Sequence, residues 1–163
     1  MYTTFAIIAL TLLTAYIVTL CAVNLEIPKS LSATVFYLPP GGRWLWTAVI
    51  FLSGFMLMVP LTDACGVGTK IMAIFAIAAL MLTGAAPLVK DDSDTGYKIH
   101  MGAAVACGVL SQVVIALNQP WLLTGWMPWM AAFVWITKDG RWRTAAFWAE
   151  ITCILLSFAL IFI

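Results

Sequence analysis

Six long apolar stretches, none with a lysine or arginine in its interior, constrain the fold of this chain more than any other feature. A membrane-spanning α-helix needs about 20 predominantly apolar residues to cross about 30 Å of hydrocarbon. Lipid offers the backbone no hydrogen-bond partner, so such stretches have to be helical. The sequence therefore predicts an all-α fold, a polytopic transmembrane helical bundle of about six spans in one domain. The predicted spans are 2–23, 43–61, 71–89, 99–117, 121–137 and 144–163.

The composition agrees with hydrocarbon as the solvent for most side chains. Of 163 residues, 64% are apolar and 9% charged, and the mean hydropathy is +1.05. Soluble domains average about 45–50% apolar and about 25% charged residues. A net charge of +1 provides no basic field for nucleic acid, so nucleic-acid binding is excluded.

Three segments leave alternatives open. Span 121–137 is short and contains Pro128, so we expect a kinked span, with a re-entrant segment as the alternative. Span 2–23 has no basic residue before it and is longer than a signal-peptide core, so we expect a retained helix. The longest loop, 24–42, has an apolar middle that is expected to lie in the membrane interface or to fold back over the bundle mouth.

The basic residues divide unevenly between the two ends of the predicted bundle. Only Lys70 falls at one end. The opposite end, called the basic end here, carries Lys29, Arg43, Lys90, Lys98, Lys138, Arg141 and Arg143. Cytoplasmic loops of membrane proteins carry an excess of lysine and arginine. We therefore expect a multi-pass protein of the bacterial inner membrane, with cytoplasmic basic loops and both termini outside the cytoplasm.

Two ionisable residues are the main candidates for a functional site, because a polar group at membrane depth is costly. Glu150 lies seven residues after Arg143, about 10 Å along a helix. His100, the only histidine, begins the fourth predicted span at the same end. We expect the two to meet below residues 30–37, where the carboxylate would hold the imidazole in one tautomer or raise its pKa. The alternatives are that Glu150 pairs with a neighbouring helix or reaches the headgroups, and that His100 contacts lipid phosphate.

Other polar residues extend this candidate site. The predicted ligand-binding residues are His100, Glu150, Lys90, Ser32, Tyr37 and Gln112. The acidic turn is expected to be a solvated loop, with a weak divalent-cation site as the alternative because carboxylate oxygens suit calcium and magnesium; its residues are Asp91, Asp92 and Asp94. No cofactor is predicted. The expected partners are membrane lipids, together with a second copy of the chain or another membrane protein.

Small residues recur four positions apart in two of the predicted spans. They are Thr11, Ala15 and Thr19 in the first span, and Gly102 with Ala106 and Ala104 with Gly108 in the fourth. Such rows let helix backbones approach closely in lipid. We expect them to pack helices within the chain rather than between chains.

No catalytic constellation is complete in the sequence. The four cysteines are isolated, and one histidine cannot build a multi-histidine zinc site. The leading hypothesis is a non-enzymatic protein that binds or moves a lipid or small amphipathic molecule. One alternative is a lipid-modifying enzyme with His100 as base and Glu150 orienting it. Further alternatives are an accessory or structural membrane subunit and a proton-coupled channel or transporter through Glu150 and Gln112.

Four short segments carry a family resemblance. They are residues 28–38, the helix end at 57–60, residues 83–90 and the helix start at 100–104. Together they resemble bacterial multi-pass membrane proteins distantly akin to the DRAM-like and GPI-lipid-remodelling membrane proteins. The resemblance implies a six-helix fold with a histidine at the mouth of the fourth span, matched by His100. Those bacterial proteins have no settled activity, so the resemblance implies no substrate.

Overall fold

A computed structural model describes residues 2–85, 94–138 and 141–163, with all their side chains except those of 94–97, 135–138 and 141–142. The described residues form helices and connecting turns without a β-strand, which confirms the predicted all-α bundle. The α-helices are α1 (Tyr2–Asn24), α2 (Trp44–Asp63), α3 (Lys70–Ala85), α4 (Asp94–Asn118), α5 (Trp126–Lys138) and α6 (Ala145–Phe162). Short 3-10 helices cover Ser32–Tyr37, Pro40–Gly42, Pro120–Gly125 and Arg141–Thr144.

Four of these helices, α1, α2, α4 and α6, are long and apolar enough to cross a membrane. Helix α3 is apolar but is described over only 16 residues, up to Ala85. Helix α5 has 13 residues, which gives it a length of about 20 Å against a hydrocarbon thickness of about 30 Å. The structure therefore supports a multi-pass bundle, and the count of six spans stays a prediction.

The predicted kink at Pro128 is not found within a continuous span. A 3-10 helix, Pro120–Gly125, precedes α5, and Pro128 is the third residue of α5. The first four N–H groups of an α-helix have no intrahelical partner, so a proline there removes no hydrogen bond. Pro128 thus belongs to the first turn of α5 and does not interrupt it.

Helices α1, α2, α3 and α4 pack side by side in chain order, and α6 packs across α1, α2 and α4. Helix α5 contacts α6. The turn between α2 and α3 is tied to the end of α4, because Asn118 Oδ1 accepts a 2.7 Å hydrogen bond from the Gly66 N–H. The bundle therefore consists of a four-helix layer with α6 lying on one face.

The long loop folds back onto the bundle, as one of the two predicted alternatives stated. Leu31, Thr34 and Val35 are buried there. The N–H of Phe147, near the start of α6, donates a 3.2 Å hydrogen bond to the carbonyl of Lys29. The loop therefore covers the bundle at the ends where α2 and α6 begin.

The small-residue rows do not have the expected role. Thr11, Ala15 and Thr19 are all exposed, so this row faces away from the chain's own helices. A Cβ added to Gly102 or Gly108 would meet no atom within 4 Å. The prediction of packing within the chain is therefore wrong for the α1 row and for these two glycines, because position along a helix does not fix which face meets a neighbour.

Candidate functional site

A cavity of about 210 Å³ lies between α6 and the layer formed by α2, α3 and α4. Helix α2 contributes Trp46, Ile50, Leu57 and Leu61 to its wall. These positions are separated by four and seven residues, which places them on one face of a helix. From Trp46 to Leu61 the wall extends about 22 Å along the helix axis. The cavity is therefore a slot that runs parallel to the helices.

Short side chains on α4 and α6 account for the open space. The residues they supply to the wall are Ala104, Cys107, Gly108, Ser111, Ala149, Cys153 and Ser157. Protein interiors normally pack to the density of organic crystals, with few voids larger than a water molecule. Small residues on two facing helices leave space that larger side chains would have filled. The row Ala104 and Gly108 thus borders the slot.

Glu150 is the only charged side chain among the described residues that line the cavity. It is the sixth residue of α6, about 8 Å along the axis from the start of that helix. Its Oε2 accepts a hydrogen bond from the backbone N–H of Leu31 in the folded-back loop. Leu31 and Ser32 also line the cavity. The structure thus brings two predicted ligand-binding residues, Glu150 and Ser32, to one end of the slot.

Trp46 lies at the same end and was not predicted as a site residue. Its side chain is 1% exposed, and the buried indole Nε1 has no hydrogen-bond partner among the described residues. Its ring packs against Tyr16, with 5.7 Å between the ring centroids. The helical period could have identified it, since Trp46 shares a face with Ile50 and Leu57. Trp44, two residues earlier, is 60% exposed and instead fits the usual role of an interfacial tryptophan as a headgroup anchor.

His100 and Glu150 have separate partners. The Nδ1 of His100 lies 3.2 Å from the carbonyl oxygen of Thr83 on α3. No hydrogen bond or ion pair joins the two side chains, both of which the structure describes, and His100 is not among the lining residues. The expected His100–Glu150 pair is therefore not formed here. Glu150 instead holds the loop, and His100 connects α4 to α3.

Tyr37 and Gln112, two other predicted ligand-binding residues, lie outside the cavity. Tyr37 is partly buried and packs against the apolar cluster that contains Leu20, Leu31 and Trp46. Burial, together with the nearby charge of Glu26, raises the pKa of Tyr37. Both ends of the Gln112 amide are used, because Oε1 accepts a 2.8 Å hydrogen bond from the Trp126 indole and Nε2 donates to a serine on α4. These contacts connect α4 to the start of α5.

The remaining predicted residues belong to the acidic turn. Lys90, Asp91 and Asp92 lie outside the described residues. Asp94 begins α4, and its side chain is likewise outside the description. Among the described side chains, no group of three His, Cys, Asp or Glu residues is placed to hold a metal ion. All four cysteines are free thiols.

Comparison of the chain with protein-family models, curated proteins and solved structures finds no match. The resemblance to DRAM-like and GPI-lipid-remodelling membrane proteins therefore stays a prediction.

Proposed function

We propose that the chain is an integral membrane protein that binds or moves a lipid or small amphipathic molecule in the slot beneath α6. The observation that carries this proposal is a cavity with an almost wholly apolar wall and one carboxyl group at one end. Ligand sites are concave, mostly apolar and supplied with a few polar groups that fix orientation. An amphipathic molecule matches this distribution.

The position of Glu150 supports binding at this place. A carboxyl group in a membrane bundle is costly and is retained mainly where it serves a pathway or a ligand. One oxygen of Glu150 accepts the Leu31 N–H, while Oε1 has no hydrogen bond to any described residue. The second oxygen is therefore available to a ligand whose apolar part occupies the slot.

The enzymatic alternative receives less support from the same contacts. A general base has to lie within hydrogen-bond reach of the group that it activates or of the group that orients it. His100 contacts the Thr83 carbonyl, and Glu150 contacts the Leu31 N–H. A lipid-modifying site that used the two residues together would need both contacts to change.

The test uses one cavity-filling variant and one matched control. Gly108 lines the slot and Gly102 is exposed, and an added Cβ meets no atom within 4 Å at either position. Purified wild type, Gly108→Leu and Gly102→Leu are extracted with organic solvent, and the bound molecules are quantified by mass spectrometry. We expect near-stoichiometric ligand in wild type and Gly102→Leu, and its loss from Gly108→Leu.

Equal ligand content in all three proteins would contradict the proposal. Size-exclusion chromatography and thermal unfolding verify that Gly108→Leu is folded. If it is not, Ala104→Leu, which fills the slot one turn earlier along α4, takes its place.

We also propose that the membrane is the bacterial inner membrane and that the basic end faces the cytoplasm. Gly41 and Gly68 are exposed, have open space around them and lie at opposite ends of α2. In a chain without other cysteines, a membrane-impermeant maleimide should label Gly68→Cys in intact cells and Gly41→Cys only after lysis. Labelling in the reverse order would overturn this orientation.

A further inference from the structure

We propose that a separate pocket, at the basic end of the bundle, binds the phosphate of an anionic phospholipid head group. The pocket is called the rim pocket here, and it is lined by Lys29, Phe133, Arg143, Ala145 and Ala146. It shares no lining residue with the slot beneath α6. Binding there is therefore independent of any ligand in the slot, and it depends only on the bundle being embedded in a membrane.

Two cationic residues that are far apart in the sequence line the rim pocket because the long loop folds back. The backbone carbonyl of Lys29 accepts a 3.2 Å hydrogen bond from the N–H of Phe147, in the first turn of α6. Arg143 belongs to the 3-10 helix that leads directly into α6. The loop thus places a lysine at the start of α6, next to the segment that carries the arginine.

Neither cation is neutralised within the part of the chain that the structure describes. Lys29 and Arg143 are both exposed, and neither side chain has an ion pair or hydrogen bond to a described residue. Glu26, three residues before Lys29, is also exposed and forms no ion pair with it. Two positive charges that line one pocket repel each other, so an anion bound between them would be stabilised.

The chemistry of the rim pocket fits a phosphate. An arginine presents a fork of N–H donors that matches two phosphate oxygens, and a lysine contributes a compact positive charge. Ala145 and Ala146 are the first two residues of α6, so the partial positive charge of a helix N-terminus adds to the two side chains. Basic pockets between membrane helices bind the head groups of anionic lipids. The choline of a zwitterionic lipid would instead bring a further positive charge to the pocket.

The apolar side of the rim pocket favours a lipid over free phosphate. Phe133 forms this side, and its ring stacks on that of Trp129 with 4.9 Å between the centroids. Met127, Met130 and Val134 are exposed and spaced three and four residues apart, so they form one apolar face of α5 beside Phe133. An acyl chain can lie along this face while its phosphate occupies the pocket. Inorganic phosphate would use neither the ring nor the face.

The test compares two lipids that differ only in the head group. Dioleoyl phosphatidylglycerol and dioleoyl phosphatidylcholine are titrated into the purified full chain in a non-ionic detergent, and bound lipid is counted by native mass spectrometry. We expect phosphatidylglycerol to bind more tightly, with an affinity that falls as salt is raised. Lys29→Gln and Arg143→Gln should each weaken its binding about fivefold, and together about 30-fold, without changing phosphatidylcholine binding.

Two further variants are the controls. Lys70→Gln removes an exposed lysine from the opposite end of the bundle and should leave both affinities unchanged. Lys29→Arg keeps the charge and should bind phosphatidylglycerol as wild type does. Equal affinities of wild type for the two lipids, or an equal loss of phosphatidylglycerol binding in Lys70→Gln and Lys29→Gln, would overturn the proposed site.

A competition experiment separates a lipid from free phosphate. Inorganic phosphate and glycerophosphoglycerol, which is the head group without acyl chains, are added at the concentration of the lipid. We expect neither to displace phosphatidylglycerol, and displacement by either would overturn the lipid as the ligand. These outcomes are distinct from the test of the slot, which is the ligand content of Gly108→Leu.

Discussion

The carboxylate of Glu150 on α6 accepts a hydrogen bond from the backbone N–H of Leu31, a residue 119 positions earlier in the chain. This contact joins the folded-back loop to the helix that covers the cavity. It also fixes the carboxyl, because one oxygen accepts the backbone N–H while the other has no hydrogen bond to a described residue. The same residue, Glu150, thus both anchors the folded-back loop and lines the cavity.

Glu150→Ala should lower the stability of the protein. The change leaves the Leu31 N–H, in a residue that is 5% exposed, without its acceptor. A buried group that loses its hydrogen-bond partner costs about 1–3 kcal/mol. Thermal unfolding in detergent measures the change, and Glu26→Ala on the exposed part of the same loop is the control, expected within about 0.5 kcal/mol of wild type. Equal effects of the two substitutions would contradict the structural role of Glu150.

Gly84→Ala should separate α2 from α3. A Cβ at Gly84 would lie 2.6 Å from Ile50 Cγ2 and 2.8 Å from Ile50 Cβ, which is closer than real atoms approach. Overpacking of this kind costs about 1–3 kcal/mol in the free energy of unfolding. Gly102→Ala, in an exposed position of α4 with open space, should instead be neutral or stabilising by up to about 1 kcal/mol. Unfolding curves of the two variants in the same detergent measure this difference in the free energy of unfolding.

Leu25→Gly should stabilise the chain. Leu25 follows the last residue of α1 and has a φ of 54°, in the left-handed region that a glycine adopts without strain. Its side chain is 89% exposed, so little packing is lost. The expected gain is about 0.5–1 kcal/mol. The control is Val23→Gly, within α1, which should be destabilising by a similar amount. A loss of stability in both variants would show that the positive φ of Leu25 has no free-energy cost.

Cys65 should react slowly with thiol reagents. It lies in the turn between α2 and α3, is 6% exposed, and burial raises the pKa of its thiol, although the Thr69 hydrogen bond and Lys70 act in the opposite direction. Because the thiolate is the reactive form, raising the pKa lowers the reactive fraction at neutral pH. With the other cysteines replaced, maleimide labelling of Cys65 should be at least about tenfold slower than labelling of a cysteine at position 68. Its rate should also rise at a higher pH. Equal rates at neutral pH would contradict the buried position of Cys65.

The helical architecture was predictable because composition and hydropathy leave a chain of this kind little alternative. The limits of the helices were less predictable, since hydropathy marks the apolar run and not the end of the helical backbone. The fourth span was predicted to start at residue 99, and α4 starts at Asp94, because the backbone continues as a helix through the polar residues before Ile99.

The candidate site was only partly predictable, for a related reason. Sequence position gives the level of a residue along a helix, and this was enough to select Glu150. It does not give the neighbour that the residue faces. His100 begins its span at the same end as Glu150, but it faces Thr83 on α3. Trp46 was not predicted because its place near the start of α2 gives its axial level but not the face of the helix that it occupies.

Photoaffinity mapping tests most directly whether the slot is the binding site. A decanol with a diazirine near the end of its chain is added to the purified protein and irradiated, and the labelled residues are identified by peptide mass spectrometry. We expect adducts on the slot-facing residues Cys107, Ser111 and Ser157, and their loss in Gly108→Leu. Adducts confined to Val105 and Val109, which are 60% and 57% exposed on the outer face of α4, would contradict this expectation.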